Sequence, residues 1–397
     1  MLESKAIYLQ KVKLQNMSLI LQNIWRLEAV SRIELVDMTR LTSGTITNLT
    51  QELIQRRIIR ESESNSESVG RKRVNLRFDN SLYSIIGLDI GRTTIGAVMT
   101  DLMGNILGTI EYGTVGINDP EAVLSLIDPF VRKLIATAES QRRTIIGMGV
   151  SIPGPMDQST GKLRYPPHFP GWNEYPIRST LEQRYGIKVW IEDDARTSAL
   201  AERWFGIGRG GKDLLFVSMG MGIGGGVIQN GSILRGANGL YSQIGHMSLM
   251  LDGPVCDCGN IGCWEALGSI PGILKRWSGE GGFSEFIQEV REGKARAVQC
   301  MQETIRMVEM SLTSLFNLYD PDVIVLGGKL YPYLTPYMEE IVAKVRNRVF
   351  DGASERVFIE PSTFGDMQSL MGAVALVFGR VLEQPQLVIE GSQSLRQ

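Results

Sequence analysis

The sequence predicts an α/β protein in which an N-terminal winged helix-turn-helix is followed by a duplicated α/β domain with a central cleft. Three observations support this prediction. Residues 14–60 carry helical spacing of apolar residues, and residues 61–70 are polar and lead into an alternating strand pattern. From residue 83 a strand, glycine turn and strand follow one another, and the same pattern recurs after residue 214. The predicted domains are residues 1–80 and 81–397.

Three short helices are predicted in the first domain. The first has one apolar face, made by Leu14, Met17, Ile20, Leu21, Ile24 and Leu27. Ser31 followed by Glu34 has the spacing of a capping box and predicts the start of a second helix. After a tight turn at residues 39–41, Thr42 or Ser43 is expected to cap a third helix that ends near Gln55.

The third helix has the pattern of a DNA-recognition helix. Ile46, Leu49 and Leu53 are expected to face inward. The opposite face carries short polar side chains, namely Ser43, Thr45, Thr47 and Asn48, which suit the major groove. The alternative that remains open is a small solvated three-helix unit that touches no DNA.

The segment after the third helix predicts the wing. Residues 61–70 have no apolar periodicity and end in a glycine, and the stretch RKRVNLRF then alternates as a strand does. Arg71, Lys72 and Arg73 are placed to meet phosphates or enter a minor groove. Residues 1–80 carry 13 Lys and Arg against 9 Asp and Glu, whereas the rest of the chain has a net charge of -6. A basic first domain permits a nucleic-acid partner.

Composition limits the classes of protein. With 397 residues and 43% apolar residues the chain can bury a large core. No segment has the pattern of a signal peptide, and no apolar run reaches the ~20 residues that span a bilayer, so we predict a cytoplasmic protein with no membrane partner.

Cysteine and histidine spacing predicts a metal site. His246, Cys256, Cys258 and Cys263 have the types and number of a tetrahedral Cys₃His zinc site, and intervening glycines allow a tight fold. Four protein ligands leave no position for water, so the zinc is expected to be structural. The alternative is four unrelated buried residues. Cys300 lies apart and is expected to be a core thiol.

Six segments resemble motifs of the ROK family, which comprises repressors, open reading frames and sugar kinases. The most specific are IGHMSLMLDGPVCDCGNIGCWE at residues 244–265 and MGMGIGGGVIQNGSILRGANG at 219–239. The others are LDIGRT at 88–93, VSIPGPMD at 150–157, EDDARTSALAE at 192–202 and DPDVIVLGG at 320–328. With the N-terminal helices included, the likeness is to the repressor branch, such as repressors of xylose operons and of N-acetylglucosamine genes.

The resemblance implies an actin-like, sugar-kinase-like (ribonuclease H-like) domain with a sugar in its cleft. The implied sugar-binding residues are Gly154, Asp193, Asp194, Gln243, His246 and Glu265. Asp194 matches the general base of the kinases. Asp193 stands where the kinases have Asn, which removes a hydrogen-bond donor, and Gln243 stands where they have Glu, which adds one.

The phosphate motifs depart furthest from the kinase pattern. Arg92 replaces a glycine and Thr94 a lysine of the first motif, and Met221 replaces the threonine of the second. Methionine offers no useful donor, and Arg92 could fill the phosphate cavity. Asp89 is retained. No catalytic residue is therefore predicted, and Asp194 is interpreted as a vestigial base.

Three hypotheses for function follow. The first is a sugar-responsive repressor that binds a pseudo-palindromic operator as a homodimer or homotetramer and releases it when a sugar binds. The second is an active ATP-dependent sugar kinase with an accessory DNA-binding domain. The third is a regulator that responds to zinc. The sequence names neither the sugar nor the operator.

Overall fold

The computed structural model describes residues 2–63, 74–113, 119–164, 166, 169, 171–350 and 354–391, with the backbone alone for 2–6, 354, 390 and 391. The predicted wing residues Arg71, Lys72 and Arg73 lie outside the described residues.

The α-helices are α1 Leu2–Leu27, α2 Arg32–Thr39, α3 Ser43–Gln55, α4 Pro120–Ser140, α5 Ile177–Tyr185, α6 Asp194–Phe205, α7 Trp264–Gly268, α8 Ile270–Trp277, α9 Phe283–Arg291, α10 Ala295–Tyr319, α11 Tyr331–Leu334, α12 Met338–Arg348, α13 Gln368–Glu383 and α14 Gln386–Gly391. Short 3-10 turns lie at Ile244–His246, Thr335–Tyr337, Ser354–Arg356 and Gly365–Met367. The strands are β1 Val30–Ser31, β2 Ile59–Glu63, β3 Val74–Phe78, β4 Tyr83–Ile90, β5 Thr94–Asp101, β6 Ile106–Gly113, β7 Thr144–Ile152, β8 Met156–Asp157, β9 Lys162–Leu163, β10 Val189–Asp193, β11 Leu214–Met219, β12 Ile223–Gln229, β13 Ser232–Ile233, β14 Val323–Gly327 and β15 Ile359–Pro361.

The elements α1–α3 and β1–β3 form an N-terminal unit, which we call the head. Its antiparallel sheet has the strand order β1-β3-β2. The predicted capping box is present, because the side chain of Ser31 accepts from the backbone N of Glu34 and the carboxylate of Glu34 accepts from that of Ser31. Thr42 caps α3. The predicted helices are confirmed, and α1 begins earlier than its apolar pattern indicated.

The body consists of two lobes with the same strand order. In the first lobe the sheet order is β10-β7-β4-β5-β6, and in the second it is β13-β12-β11-β14-β15. In the first lobe β4, β5 and β6 are antiparallel, and β7 and β10 lie on the other side of β4 and run parallel to it. In the second lobe β11, β12 and β13 are antiparallel, and β14 and β15 lie on the other side of β11 and run parallel to it. The predicted duplication is confirmed, and a cleft separates the lobes.

Two helices pack between the sheets, and each crosses from one lobe to the other. Helix α6 continues from β10 of the first lobe but packs on β11 and β12 of the second. Helix α13 follows β15 of the second lobe but packs on β4 and β7 of the first. The two helices also pack on each other. A movement of the lobes therefore changes how α6 and α13 meet.

The head shares a hydrophobic core with the body. One buried cluster includes Met17, Ile46 and Phe78 of the head together with Trp204 and Phe378 of the body. The predicted domain boundary at residue 80 stays a prediction, because this cluster runs across it. Within the described residues, no helix combines the length and the apolar character that a bilayer span requires.

Candidate functional site

The cleft between the lobes holds the residues for which a sugar-binding role was predicted. A cavity of about 490 Å³ lies there. Its lining includes Gly154, Asp193, Asp194, Gln243, His246 and Glu265. These six residues come from four separate segments of both lobes, so the fold brings them together as the resemblance implied. Such a cavity has the size of a small-molecule site.

Two adjacent carboxylates mark the start of α6. Asp193 caps the helix, and Oδ1 of both Asp193 and Asp194 accepts from the backbone N of Ala195, at 3.2 and 2.8 Å. Gly154 makes room for this pair, because a Cβ there would lie only 2.6 Å from Oδ2 of Asp193. Burial, with the neighbouring charge of Asp194 as the next cause, raises the pKa of Asp193 to about 6. The pair presents acceptors to the cavity, as hydroxyl groups of a sugar require.

Asp89 lies at the end of β4 and faces the same cavity. Burial raises its pKa to about 7, with Asp194 as the next cause. A side-chain hydrogen bond with Ser151 opposes the shift. Near neutral pH this carboxyl group is therefore part protonated and can donate as well as accept.

Arg92 and Glu265 both lie beside the glycine-rich turn between β11 and β12. A Cβ at Gly222 would lie 2.6 Å from Oε2 of Glu265 and 3.2 Å from Nη1 of Arg92. The same Glu265 oxygen accepts from the backbone N of Ile223 at 2.7 Å. Arg92 thus reaches into the turn where a kinase of this pattern would hold phosphates.

Lys329 borders the same part of the cavity from the second lobe. Its Nζ donates to Oγ1 of Thr93 at 2.8 Å, which joins the second lobe to the first across the cleft. Met221, which replaces threonine in the glycine-rich motif, is 39% exposed and lines the cavity. Sequence reasoning missed Lys329, although its position directly after two glycines was a usable signal.

A buried carboxylate organises the wall beside α6. Glu192 is 0% exposed and accepts from Nε of Arg196 at 2.9 Å and from Nε of Arg235 at 2.7 Å. Gln158 donates to it at 3.1 Å. Arg196 also donates to the carbonyl oxygen of Gly239 at 2.9 Å. Glu192 therefore fixes the segment after β13, which carries Leu240 and Gln243 to the cavity, against the first lobe.

The predicted metal ligands converge on one point. The ligand atoms of His246, Cys256, Cys258 and Cys263 all lie within 4.8 Å of one another. Sγ of Cys256 is 3.6 Å from Nδ1 of His246, and Sγ of Cys258 is 3.8 Å from Sγ of Cys263. Tetrahedral zinc with ordinary bond lengths separates its ligands by about 3.6 Å for S and N and about 3.8 Å for two S atoms. The residues present fit zinc.

The backbone of this loop is folded tightly. Gly262 has φ +67, and a Cβ there would lie 1.8 Å from the carbonyl oxygen of Met250, so only glycine fits. His246 has its Nδ1 toward the sulfur of Cys256 and also lines the cavity of the cleft. The metal centre and the cavity therefore share two residues, His246 and Cys258. Cys300 is buried elsewhere, as predicted.

The predicted recognition helix α3 has the expected division of faces. Ile46, Leu49 and Leu53 are buried. Ser43, Thr47 and Asn48 are exposed. Thr45 is only partly exposed, since Oγ1 lies 2.9 Å from Oγ1 of Thr42 within the helix cap.

Comparison with known proteins gives a family and two kinds of relative. The model of the ROK family matches residues 85–380. The xylose repressor of Caldicellulosiruptor bescii is 27% identical over 389 residues, which cover 94% of this chain and 97% of the repressor. The N-acetylglucosamine repressor of Escherichia coli O157:H7 is 25% identical, covering 92% of this chain and 93% of that protein.

A kinase relative matches a shorter part of the chain. The glucokinase of Thermotoga maritima is 27% identical over 326 residues, which cover 75% of this chain but 98% of the kinase. Among solved structures, a ROK-family transcriptional regulator described as a homologue of the Escherichia coli Mlc protein has a TM-score of 0.80, with 22% identity and coverage of 96% of this chain and 99% of that one. At that identity the likeness supports the fold.

Proposed function

This chain belongs to the ROK family, and from that premise we propose that it is a sugar-responsive transcriptional repressor. The observation that carries the proposal is the share of the chain that each kind of relative, repressor or kinase, matches. The repressor match covers 94% of the chain, whereas the glucokinase match covers 75% of the chain and almost all of the kinase. The additional length corresponds in size to the head, whose α3 presents an exposed polar face. The relatives named as repressors therefore share with this chain a segment of the size of the head, which the kinase lacks.

DNA is the proposed partner of the head. The exposed side chains of Ser43, Thr47 and Asn48 suit base edges in the major groove, with Thr45 partly engaged in the cap. A homodimer or homotetramer would place two such helices on a pseudo-palindromic operator. Arg71, Lys72 and Arg73 are proposed to add phosphate or minor-groove contacts.

A sugar is the proposed effector in the cleft. Asp193 and Asp194 supply acceptors, Gln243 supplies a donor and an acceptor, and Glu265 is fixed by the backbone of Ile223. The names of the relatives make D-xylose and N-acetylglucosamine the first sugars to test. A thermal-shift screen with a sugar library is the direct experiment, because a ligand at 100 times its Kd adds about 2.7 kcal/mol of stability.

Zinc is proposed as a structural ion held by His246, Cys256, Cys258 and Cys263. When bound, it would cross-link the loop and hold the imidazole of His246 at the edge of the cavity. The chemistry at the sugar site itself would come from the carboxylates and the amide of this chain.

Loss of kinase activity is part of the proposal. Arg92, which replaces a glycine of the phosphate motif, lies beside Gly222, and Met221 replaces a threonine hydroxyl at the cavity wall, so space and a hydrogen-bond donor for phosphate are lost. An assay of ADP release across hexoses, pentoses and N-acetyl sugars tests this. Turnover at ~1 per second or faster would instead support the sugar-kinase hypothesis.

The zinc-responsive hypothesis is tested by the same protein in a second titration. The repressor proposal expects DNA affinity to respond to a sugar and to be constant once the structural zinc is bound. An affinity that follows free zinc and ignores every sugar would favour the zinc-responsive regulator.

A further inference from the structure

We infer that Trp25 couples sugar binding in the cleft to DNA binding by the head. It does so because its position depends on the angle between α6 and α13. This inference rests on the proposed function and names the route of its regulation. The contact surface consists of Trp25, Trp204, Phe205, Arg209 and Phe378, and we call it the joint.

Trp25 is a residue of the head that contacts both helices. It is 3% exposed, and its ring centroid lies 5.7 Å from that of Phe205 at the end of α6 and 4.4 Å from that of Phe378 in α13. Phe78 of the head sheet contacts the same ring at 5.6 Å. A close-packed aromatic contact of this kind does not deform smoothly, so a change in the spacing of the helices displaces the indole.

Polar contacts fix the orientation of the indole. Its Nε1 donates to the carbonyl oxygen of Trp204 at 3.1 Å in a buried hydrogen bond. The guanidinium of Arg209 stacks over the ring with Cζ 4.5 Å from the centroid, and its Nη2 donates to the carbonyl oxygen of Trp25 at 3.2 Å. Arg209 also pairs with Glu28 at 3.1 Å. The end of α1 is therefore bound to the segment that follows α6.

Both helices start in the cleft and extend to the joint. Helix α6 begins with Asp194 at the cavity and ends at Phe205, and its 12 residues span about 18 Å. Helix α13 begins with Gln368, which lines the same cavity, and carries Phe378. A rigid helix moves as a unit, so a displacement at its cleft end appears at its other end.

Because of the way the two helices pack, a movement of the lobes changes the contacts that Trp25 makes with them. Helix α6 packs on the sheet of the second lobe and α13 on that of the first. A sugar held between the lobes changes their mutual orientation, and Phe205 then moves relative to Phe378. The head follows, because Trp25 is bonded to one helix and packed against the other.

The test measures the coupling between sugar and DNA in two joint variants. Trp25→Phe keeps an aromatic ring and removes the Nε1 donor, and Arg209→Met keeps the length of the side chain and removes its charge. DNA selected by the wild type from a pool of random duplexes is titrated with and without D-xylose, D-glucose and N-acetylglucosamine. The ratio of the two DNA affinities is the coupling factor, typically about 5- to 150-fold in allosteric proteins.

We expect both variants to bind sugar and DNA separately within about threefold of the wild type, while the coupling factor falls at least about fivefold or to near one. Matched controls are Trp277→Phe, which removes the indole bond to Glu289 at 2.9 Å in the second lobe, and Arg132→Met, which removes an arginine paired with Asp128 and stacked on Tyr185. The controls should keep the wild-type factor.

Each outcome decides the inference. If the variants are folded and couple sugar to DNA as strongly as the wild type, the role of the joint is wrong and the proposed function stands. If Trp25→Phe does not fold, Arg209→Met decides, because its side chain is partly exposed. If the wild type itself binds DNA with the same affinity with and without a sugar that it binds, the proposed function is wrong, and the role of the joint is wrong with it.

Discussion

The guanidinium of Arg235 in the second lobe lies 2.7 Å from the fully buried carboxylate of Glu192 in the first lobe. This ion pair holds the segment that carries Gln243 against the wall of the cavity. Arg235→Met should therefore weaken sugar binding roughly two- to tenfold, the effect of one lost hydrogen bond, while DNA binding without sugar is unchanged. Isothermal titration with the sugar and an anisotropy titration with DNA measure the two affinities.

Arg348→Met is the matched control for this variant. Arg348 also pairs with a fully buried carboxylate, that of Glu309 at 3.4 Å, but lies in α12 away from the cavity. An equal loss of sugar affinity in both variants would show that general destabilisation, and not the position of Arg235, causes the effect.

The metal centre predicts a link between zinc and sugar. Cys258→Ser should lower the zinc content from one ion per four-residue site and weaken sugar binding, because serine is a poor zinc ligand and both His246 and Cys258 also line the cavity. Metal analysis and a sugar titration of protein purified without chelator check this. Cys300→Ser, at a buried thiol outside the site, is the control. Wild-type protein that contains no zinc would contradict the assignment.

The head predicts two separate effects on DNA. Arg71→Ala and Arg73→Ala should each weaken binding to many sequences and reduce the slope of log affinity against log salt by about one unit. Asn48→Ala, on the exposed face of α3, should change base preference instead. Lys133→Ala, at an exposed lysine of α4, should do neither. If the double change Arg71→Ala with Arg73→Ala leaves DNA affinity untouched, the wing assignment fails.

The cleft carboxylates predict how stability depends on pH. Burial raises the pKa of Asp89 from 3.8 to about 7, so between those values the folded chain binds more protons than the unfolded chain. The free energy of unfolding should therefore fall as pH rises from about 4 to about 7 and level off above. Asp89→Asn should reduce this fall, with Asp193, whose pKa is raised to about 6, responsible for the remainder. Urea unfolding at several pH values measures it, and an unchanged slope in the variant would contradict the assignment.

Local features were predictable because nearby residues determine them. The capping box of Ser31 and Glu34, the inward positions of Ile46 and Leu49, and the strand pairs on either side of each glycine turn all follow from short-range spacing. The four metal ligands lie within 18 positions of one another, so the sequence alone brought them together.

Contacts between distant segments were not predictable in the same way. The indole of Trp25 meets the carbonyl of Trp204 across 179 positions, and no local pattern specifies that bond. The pairing of Arg235 with Glu192 and the reach of Lys329 to Thr93 depend equally on how the lobes are placed. The amphipathic pattern identified α1 but could not show that its end is buried in the body.

The central claim is that a sugar bound at the start of α6 releases DNA from the head. Its most direct test is an anisotropy titration of bound DNA with the sugar found by thermal shift, on the wild type, on Asp194→Asn, and on Asp252→Asn as a control at an exposed aspartate. We predict that sugar weakens DNA binding by the wild type and the control about 5- to 150-fold, and that Asp194→Asn holds DNA equally well but needs roughly 10- to 150-fold more sugar for release. DNA affinity of the wild type that stays constant, or rises, as sugar is added would contradict the account.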